Sequence, residues 1–200
     1  DLPADAQGKL LDYLDLLAKW NRTYNLTAVR DPADMVPRHL LDSLAVLPFV
    51  HGRSLADLGS GAGLPGIPLA IARPDIAVTL VESNGKKARF LREAIRSLPL
   101  ANLAVAQVRV QDATGAFDTI TARAFASLPD MLTWGGHLLA QDGRWLALKG
   151  RADAAELGAV PQDFRVTAVH ELHVPGTDGE RCVVELRALR PATRGPTMVG

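Results

Sequence analysis

The sequence has a single cysteine, Cys182, in 200 residues. No internal disulfide can form from it, which fits a reducing cytoplasm. There is no excess charge of either sign, because 22 basic and 22 acidic side chains leave a formal net charge of +0. Nucleic-acid binders are usually basic overall, so any such role must rest on local patches. No apolar run approaches the roughly 18 residues that suggest a membrane span, and neither a signal peptide nor an internal repeat is evident. A cytoplasmic globular protein is the expectation. With 48% hydrophobic residues the chain can bury a sizeable core.

What is present is organised around Ser54–Pro68, which reads SLADLGSGAGLPGIP. A short apolar run ending at Leu58 reads as a buried strand. It breaks into Gly59, Gly61, Gly63 and Gly66, and then into an apolar helical pattern. Glycines admit positive φ and close backbone approach, and the following helix turns its first N–H groups toward the loop. The next apolar run, Ile76 to Val81, ends in Glu82, where a carboxylate can accept both hydroxyls of a ribose.

Two amphipathic helical patterns precede this stretch, Asp5 to Trp20 and Arg38 to Leu47, with Asp31-Pro32 as a helix-start signal between them. Strands are expected near 54–58, 76–82, 103–109, 117–122 and 144–149. Helices are expected near 65–73, 85–97, 127–134 and 151–158. That alternation predicts a parallel sheet. Phe164 to Val174 and Cys182 to Leu189 are joined too closely for a helix, so they predict a hairpin closing the sheet with an antiparallel strand. The chain divides into a helical segment (1–50), a cofactor-binding domain (51–190) and a Pro/Gly-rich tail expected to be disordered (191–200).

Three glycine-loop chemistries compete for the loop. A P-loop is excluded, because Gly66 is followed by Ile67 and not by Lys-Ser or Lys-Thr. A dinucleotide fingerprint occurs at residues 61–66, but its register is late and Pro65 removes an N–H a pyrophosphate would use. S-adenosylmethionine ends in a zwitterion, which suits a loop with an acid beside it. Asp57 can hold the ammonium directly or through water, while loop N–H groups face the carboxylate. The alternative is that Asp57 only caps the helix and the glycines only turn the chain. The terminal hairpin also favours S-adenosylmethionine.

WNRTYNLTAVRDP (20–32), RHLLDSL (38–44), DLGSGAGLPGIPLAI (57–71), RAFASL (123–128), ALKG (147–150) and VPGTDGERCVV (174–184) together resemble the bacterial RsmG family, also called GidB or glucose-inhibited division protein B. The resemblance spans about Leu10 to Leu189. It implies a class I S-adenosylmethionine-dependent methyltransferase fold, Rossmann-like, with a mostly parallel seven-stranded sheet. It implies transfer of a methyl group to N7 of a guanine in the 530 loop of 16S rRNA, in a cytoplasmic protein of ribosome maturation. The rRNA or small subunit is the expected partner, and the protein is expected to act as a monomer away from membranes. Carried over by residue, cofactor contacts fall on Gly59 and Leu64, on Val110 and Gln111, and on Arg123, with Glu82 at the ribose; Gly61 of the glycine loop is a further cofactor candidate. Gln111 stands where an acid would be expected beside the adenine, and Asp112 is adjacent.

Guanine N7 has a lone pair ready for attack, so neither a strong base nor a metal is expected, and positioning carries the chemistry. Arg123 can contact the cofactor carboxylate or RNA phosphate, unless it is held in an ion pair with Asp118 or Glu82. Lys149 can touch phosphate or lie solvated at a strand end. Lys86, Lys87 and Arg89, with Arg92 and Arg96, form a basic helix face for RNA. A second RNA surface is expected over residues 21–39, with Arg22, Asn25, Arg30, Arg38 and His39, where Tyr24 or Trp20 can stack on a base. Rival readings are a non-catalytic ribosome-binding protein that keeps the fold, or a small-molecule methyltransferase.

Overall fold

The structure, a computed structural model, describes residues 2–123 and 126–189. The tail expected to be disordered lies outside them. The strands are β1 (Ser54–Leu58), β2 (Ala77–Val81), β3 (Leu103–Ala106), β4 (Phe117–Arg123), β5 (Leu139–Lys149), β6 (Phe164–Glu171) and β7 (Cys182–Ala188). They form one seven-stranded sheet in the order β3-β2-β1-β4-β5-β7-β6. The first five pair in parallel, and β7 runs antiparallel to both neighbours. The expected hairpin forms, but its antiparallel strand is inserted between β5 and β6 and does not form the edge.

The helices are α1 (Ala6–Tyr24), α2 (Pro32–Met35), α3 (Asp42–Leu44), α4 (Gly66–Ala72), α5 (Gly85–Ser97), α6 (Leu128–Gly135) and α7 (Ala154–Gly158). A π-helical stretch, Val36–Leu41, joins α2 to α3. Alternation along the strands sorts side chains onto two faces. Leu55, Val78, Leu80, Leu146 and Val183 pack with residues of α1, α4 and α5 on one face. Ala56, Val81, Ile120, Trp145 and Leu186 pack with α6 on the other. The chain therefore changes faces between β1 and β4, where ligands bind in open α/β sheets.

Local chemistry sets the element ends. Asp31 caps α2 by accepting from Ala33 N at 2.9 Å. Asn25, at φ 51, closes α1 in the left-handed conformation. Asn102 Nδ2 donates to Ala70, Arg73 and Ile76 carbonyls at 3.0, 3.3 and 3.0 Å, collecting the orphan acceptors at the end of α4. β3 stops at Ala106 and not near 109, because β2 ends opposite it at Val81. β5 starts before 144, at Leu139, through a register shift between Phe117 and Thr119 of its neighbour. In α5, Ala88, Phe90, Leu91 and Ala94 are buried. Each large side chain among them contributes about 1.5–3 kcal/mol, and that decides which face is left to the basic residues.

Candidate functional site

Leaving β1, the chain needs left-handed backbone three times, at Gly59 (φ 66), Gly61 (φ 59) and Gly63 (φ 88). The loop satisfies its own amides. Gly59 and Ser60 N–H both donate to the Val81 carbonyl, at 2.9 and 3.1 Å. Gly63 and Leu64 N–H donate to the Ser60 carbonyl, at 2.7 and 3.2 Å. Gly61 N–H donates to Glu82 Oε2 at 2.9 Å, while Asn84 N–H donates to Oε1 at 2.8 Å. The expectation that loop amides face a cofactor carboxylate is therefore corrected for these residues, whose N–H groups have partners within the chain. The reason is that the turn folds Gly63 and Leu64 back onto the Ser60 carbonyl and lays Gly59, Ser60 and Gly61 against the end of β2, at Val81 and Glu82.

Asp57 lies beneath this loop, fully enclosed. Its Oδ1 accepts from Thr121 Oγ1 at 2.9 Å and its Oδ2 from Gly66 N–H at 3.2 Å, at the start of α4. Burial pushes its carboxyl up to about 6, against the hydrogen bonds from Thr121 and Gly66. In this arrangement Asp57 caps the helix, and the expected direct contact with an ammonium is not open to it. Leu64 is likewise buried in the core. From the other side, Tyr13 of α1 donates its hydroxyl to the Ala62 carbonyl at 2.6 Å. Burial raises the Tyr13 phenol above its ordinary value, so it stays a neutral donor.

Beyond the C-terminal ends of β1 and β2 lies a cavity of about 430 Å³, lined by Gly59, Glu82, Lys87, Val110, Gln111 and Trp134 among others. Four expected cofactor residues, Gly59, Glu82, Val110 and Gln111, meet there. Of the neighbouring pair Gln111 and Asp112, Gln111 lines the cavity. Lys87, expected on RNA, lines it as well. Trp134 was not anticipated, because α6 reaches this cavity only through the crossover fold.

Arg123 lies elsewhere. With Arg38, Asp42, Lys149, Arg181 and Cys182 it lines a second cavity, about 360 Å³, over β4 and β5. Its Nη1 is 3.2 Å from Asp42 Oδ2, and Arg181 Nε is 3.2 Å from Asp42 Oδ1. Neither Asp118 nor Glu82 is its ion-pair partner. Asp118 instead accepts from Arg53 and Ser54 N–H at 2.8 and 3.0 Å. Lys149 is no solvated strand end, since its Nζ lies 2.7 Å from Glu156 Oε1 with its side chain only 14% exposed. Asp42 was missed as a site residue. Its signal was the RHLLDSL motif, whose acid meets Arg123 and Arg181 only once distant segments of the chain fold together.

A third, open depression of about 670 Å³ joins Tyr24 to Lys86, Arg89, Arg92 and Gln107. The two expected RNA surfaces thus meet at Tyr24. Tyr24 stacks on Trp20 with ring centroids 5.2 Å apart. Arg96 is paired with Glu93 at 2.7 Å. Across the 21–39 surface Arg22, Asn25, Arg30 and Arg38 are exposed, and His39 is not. His39 is buried, with Nε2 3.0 Å from Thr27 Oγ1, and burial lowers its pKa, helped by Arg123. His39 is therefore corrected as an RNA contact. Arg30 donates to Asn25 Oδ1 at 2.7 Å, while Asn21 holds Thr27 N–H and the Val29 carbonyl. Arg22 stays exposed on the last turn of α1.

Residues 6–184 match the family model GidB, described as rRNA small subunit methyltransferase G. The chain is 57% identical over 185 residues to a ribosomal RNA small subunit methyltransferase G of Xanthomonas campestris pv. campestris (strain 8004), covering 92% of this chain and 87% of that protein. Its fold is similar to a solved coclaurine N-methyltransferase bound to N-methylheliamine and SAH (TM-score 0.60, 15% identity, covering 80% of this chain and 59% of that one). It is also similar to the N-methyltransferase NodS from Bradyrhizobium japonicum WM9 (TM-score 0.57, 14% identity, 80% and 99%).

Proposed function

Because the chain belongs to the rRNA small subunit methyltransferase G family, we propose that it transfers a methyl group from S-adenosylmethionine to N7 of a guanine in the 530 loop of 16S rRNA. The observation that carries this reading is the 430 Å³ cavity at the strand C-termini, which brings Gly59, Glu82, Val110 and Gln111 to one place.

The residues present fit the cofactor. Glu82 offers carboxylate oxygens to the ribose hydroxyls while two backbone N–H groups hold it in place. Val81 and Val110 form apolar wall, and Gln111 supplies an amide beside the adenine. When bound, S-adenosylmethionine supplies a methyl group already activated by its sulfonium. The acceptor N7 needs no deprotonation, so the chain's residues bind, orient and exclude water, and positioning alone lowers the barrier by several kcal/mol, up to about 7–11 in favourable cases. The cleft of Tyr24, Lys86, Arg89 and Arg92 receives RNA backbone through charge and stacking. The target guanine leaves its stack to reach the cofactor. The protein works as a monomer in the cytoplasm, where ribosomes mature. No helix among the described residues is long and apolar enough to cross a membrane.

The test is incubation with labelled S-adenosylmethionine and either 16S rRNA or small subunits, followed by mapping of modified guanines. Transfer to one guanine of the 530 loop is expected. Tight cofactor binding without transfer to any rRNA form overturns the proposal.

A further inference from the structure

The amino-acid end of the cofactor proposed above carries a carboxylate, and the glycine loop does not supply its donors. The amides of Gly59, Ser60, Gly61, Gly63 and Leu64 are bonded within the chain, so the carboxylate needs another partner. Leu58 pairs with Ala122 across β1 and β4, which sets Arg123 level with Gly59 at the mouth of the loop. Burial raises the Asp57 carboxyl, and the charge of Arg123 is among the influences that hold it down, so that charge is felt beneath the loop. Lys149, at the end of β5, is already spent on Glu156 at 2.7 Å.

Arg123 is itself held by a partner. Its Nη1 donates to Asp42 Oδ2 at 3.2 Å, and Arg181 Nε lies 3.2 Å from Asp42 Oδ1. Both oxygens of Asp42 are thus taken, and its side chain is only 10% exposed, so it is no contact for a ligand. Arg123 differs, because a guanidinium has five N–H donors and the bond to Asp42 uses one. Charge points the same way. Two guanidiniums against one carboxylate leave one positive charge, which a single ligand carboxylate balances. The three side chains come from α3, from the end of β4 and from the residue before β7. A long arginine side chain alone samples many rotamers, whereas a planar fork held at one tip keeps its remaining donors in a fixed plane.

We propose that Asp42 and Arg181 are positioning residues: together they set the Arg123 guanidinium to receive the carboxylate of S-adenosylmethionine. This rests on the cofactor proposed above and gives a role to two residues outside the cofactor cleft. The helical segment before β1 and the β6–β7 hairpin thereby take part in cofactor binding, through one buried carboxylate.

The experiment compares S-adenosylmethionine with decarboxylated S-adenosylmethionine, which lacks only the carboxylate, by calorimetry on the full chain without RNA. Wild-type chain should bind the complete cofactor roughly ten- to a hundredfold more tightly, the range for a hydrogen bond to a charged group. Asp42→Asn should weaken the complete cofactor about tenfold, within the range of coupling inside one ion-pair network. It should leave the decarboxylated one within about twofold of wild type. Arg181→Gln, on the more exposed side of the pair, should act in the same direction and serves where Asp42→Asn does not fold. Added to Arg123→Gln, Asp42→Asn should weaken the complete cofactor no further, because its effect passes through that guanidinium. Variants that weaken both ligands by the same factor, as a merely structural staple would, overturn the inference. So does wild-type chain that binds both ligands equally well. Wild-type chain that binds neither ligand overturns the cofactor reading itself and removes this inference with it.

Discussion

At the scale of single residues, Asp57 and Tyr13 hold the glycine loop from below and from the side, and each makes a separate prediction. The Asp57 carboxyl titrates from 3.8 in its ordinary state to about 6 when folded. Between those values the folded chain keeps a proton that the unfolded chain has lost. Stability from this group is complete below the unfolded value and is lost as pH rises through about 6. Urea unfolding measured from pH 4 to 7 should therefore show a downward component that Asp57→Asn lacks. The variant should also be less stable throughout, because its amide offers a single acceptor to Thr121 and Gly66. Tyr13→Phe removes the donor that meets the Ala62 carbonyl at 2.6 Å. A buried acceptor left unpaired costs about 1–3 kcal/mol. Calorimetry should show weaker S-adenosylmethionine binding as the loop loosens, and wild-type affinity would mean the loop holds its shape without this brace.

At the scale of elements, α5 divides its labour by face. Its apolar stripe anchors it to the sheet, and its outer face carries Lys86, Arg89 and Arg92 into one depression with Tyr24. The stripe was legible in the sequence as Ala88, Leu91 and Ile95. Phe90 was not, because its burial depends on Tyr13 and Trp20 of α1, at centroid distances of 6.5 and 5.7 Å. Replacing Lys86, Arg89 and Arg92 together by Ala should raise KM for RNA while leaving the S-adenosylmethionine Kd and the unfolding midpoint nearly unchanged. If all three meet phosphate, the slope of log affinity against log salt should become shallower by about 2. An unchanged slope would place the RNA on another surface.

At the scale of the molecule, the helices before β1 share one core with the sheet. Leu10, Tyr13, Leu14 and Leu17 belong to the same cluster as Leu55, Leu80 and Phe90. Removing residues 1–50 should therefore leave the rest without a cooperative urea transition, by near-ultraviolet circular dichroism, because one face of the sheet loses its cover. A sharp transition of the remainder would show that the sheet stands without α1. By itself the sequence determined the order of strands and helices, the glycine turn, the parallel sheet with its terminal hairpin and the place of Glu82. Those follow from local periodicity, from φ angles open mainly to glycine and from spacing along a strand–loop–helix unit. Only the tertiary structure decided that β7 enters between β5 and β6, that Trp134 and Lys87 reach the cofactor cleft, and that Arg123 pairs with Asp42 across 81 residues of sequence. Each of these depends on which distant segments the burial of apolar faces brings together. The loop's own chemistry changed for the same reason: the enclosed Asp57 and the amides of Gly59, Ser60, Gly61, Gly63 and Leu64 bond to the chain itself, a consequence of packing that no local pattern carries.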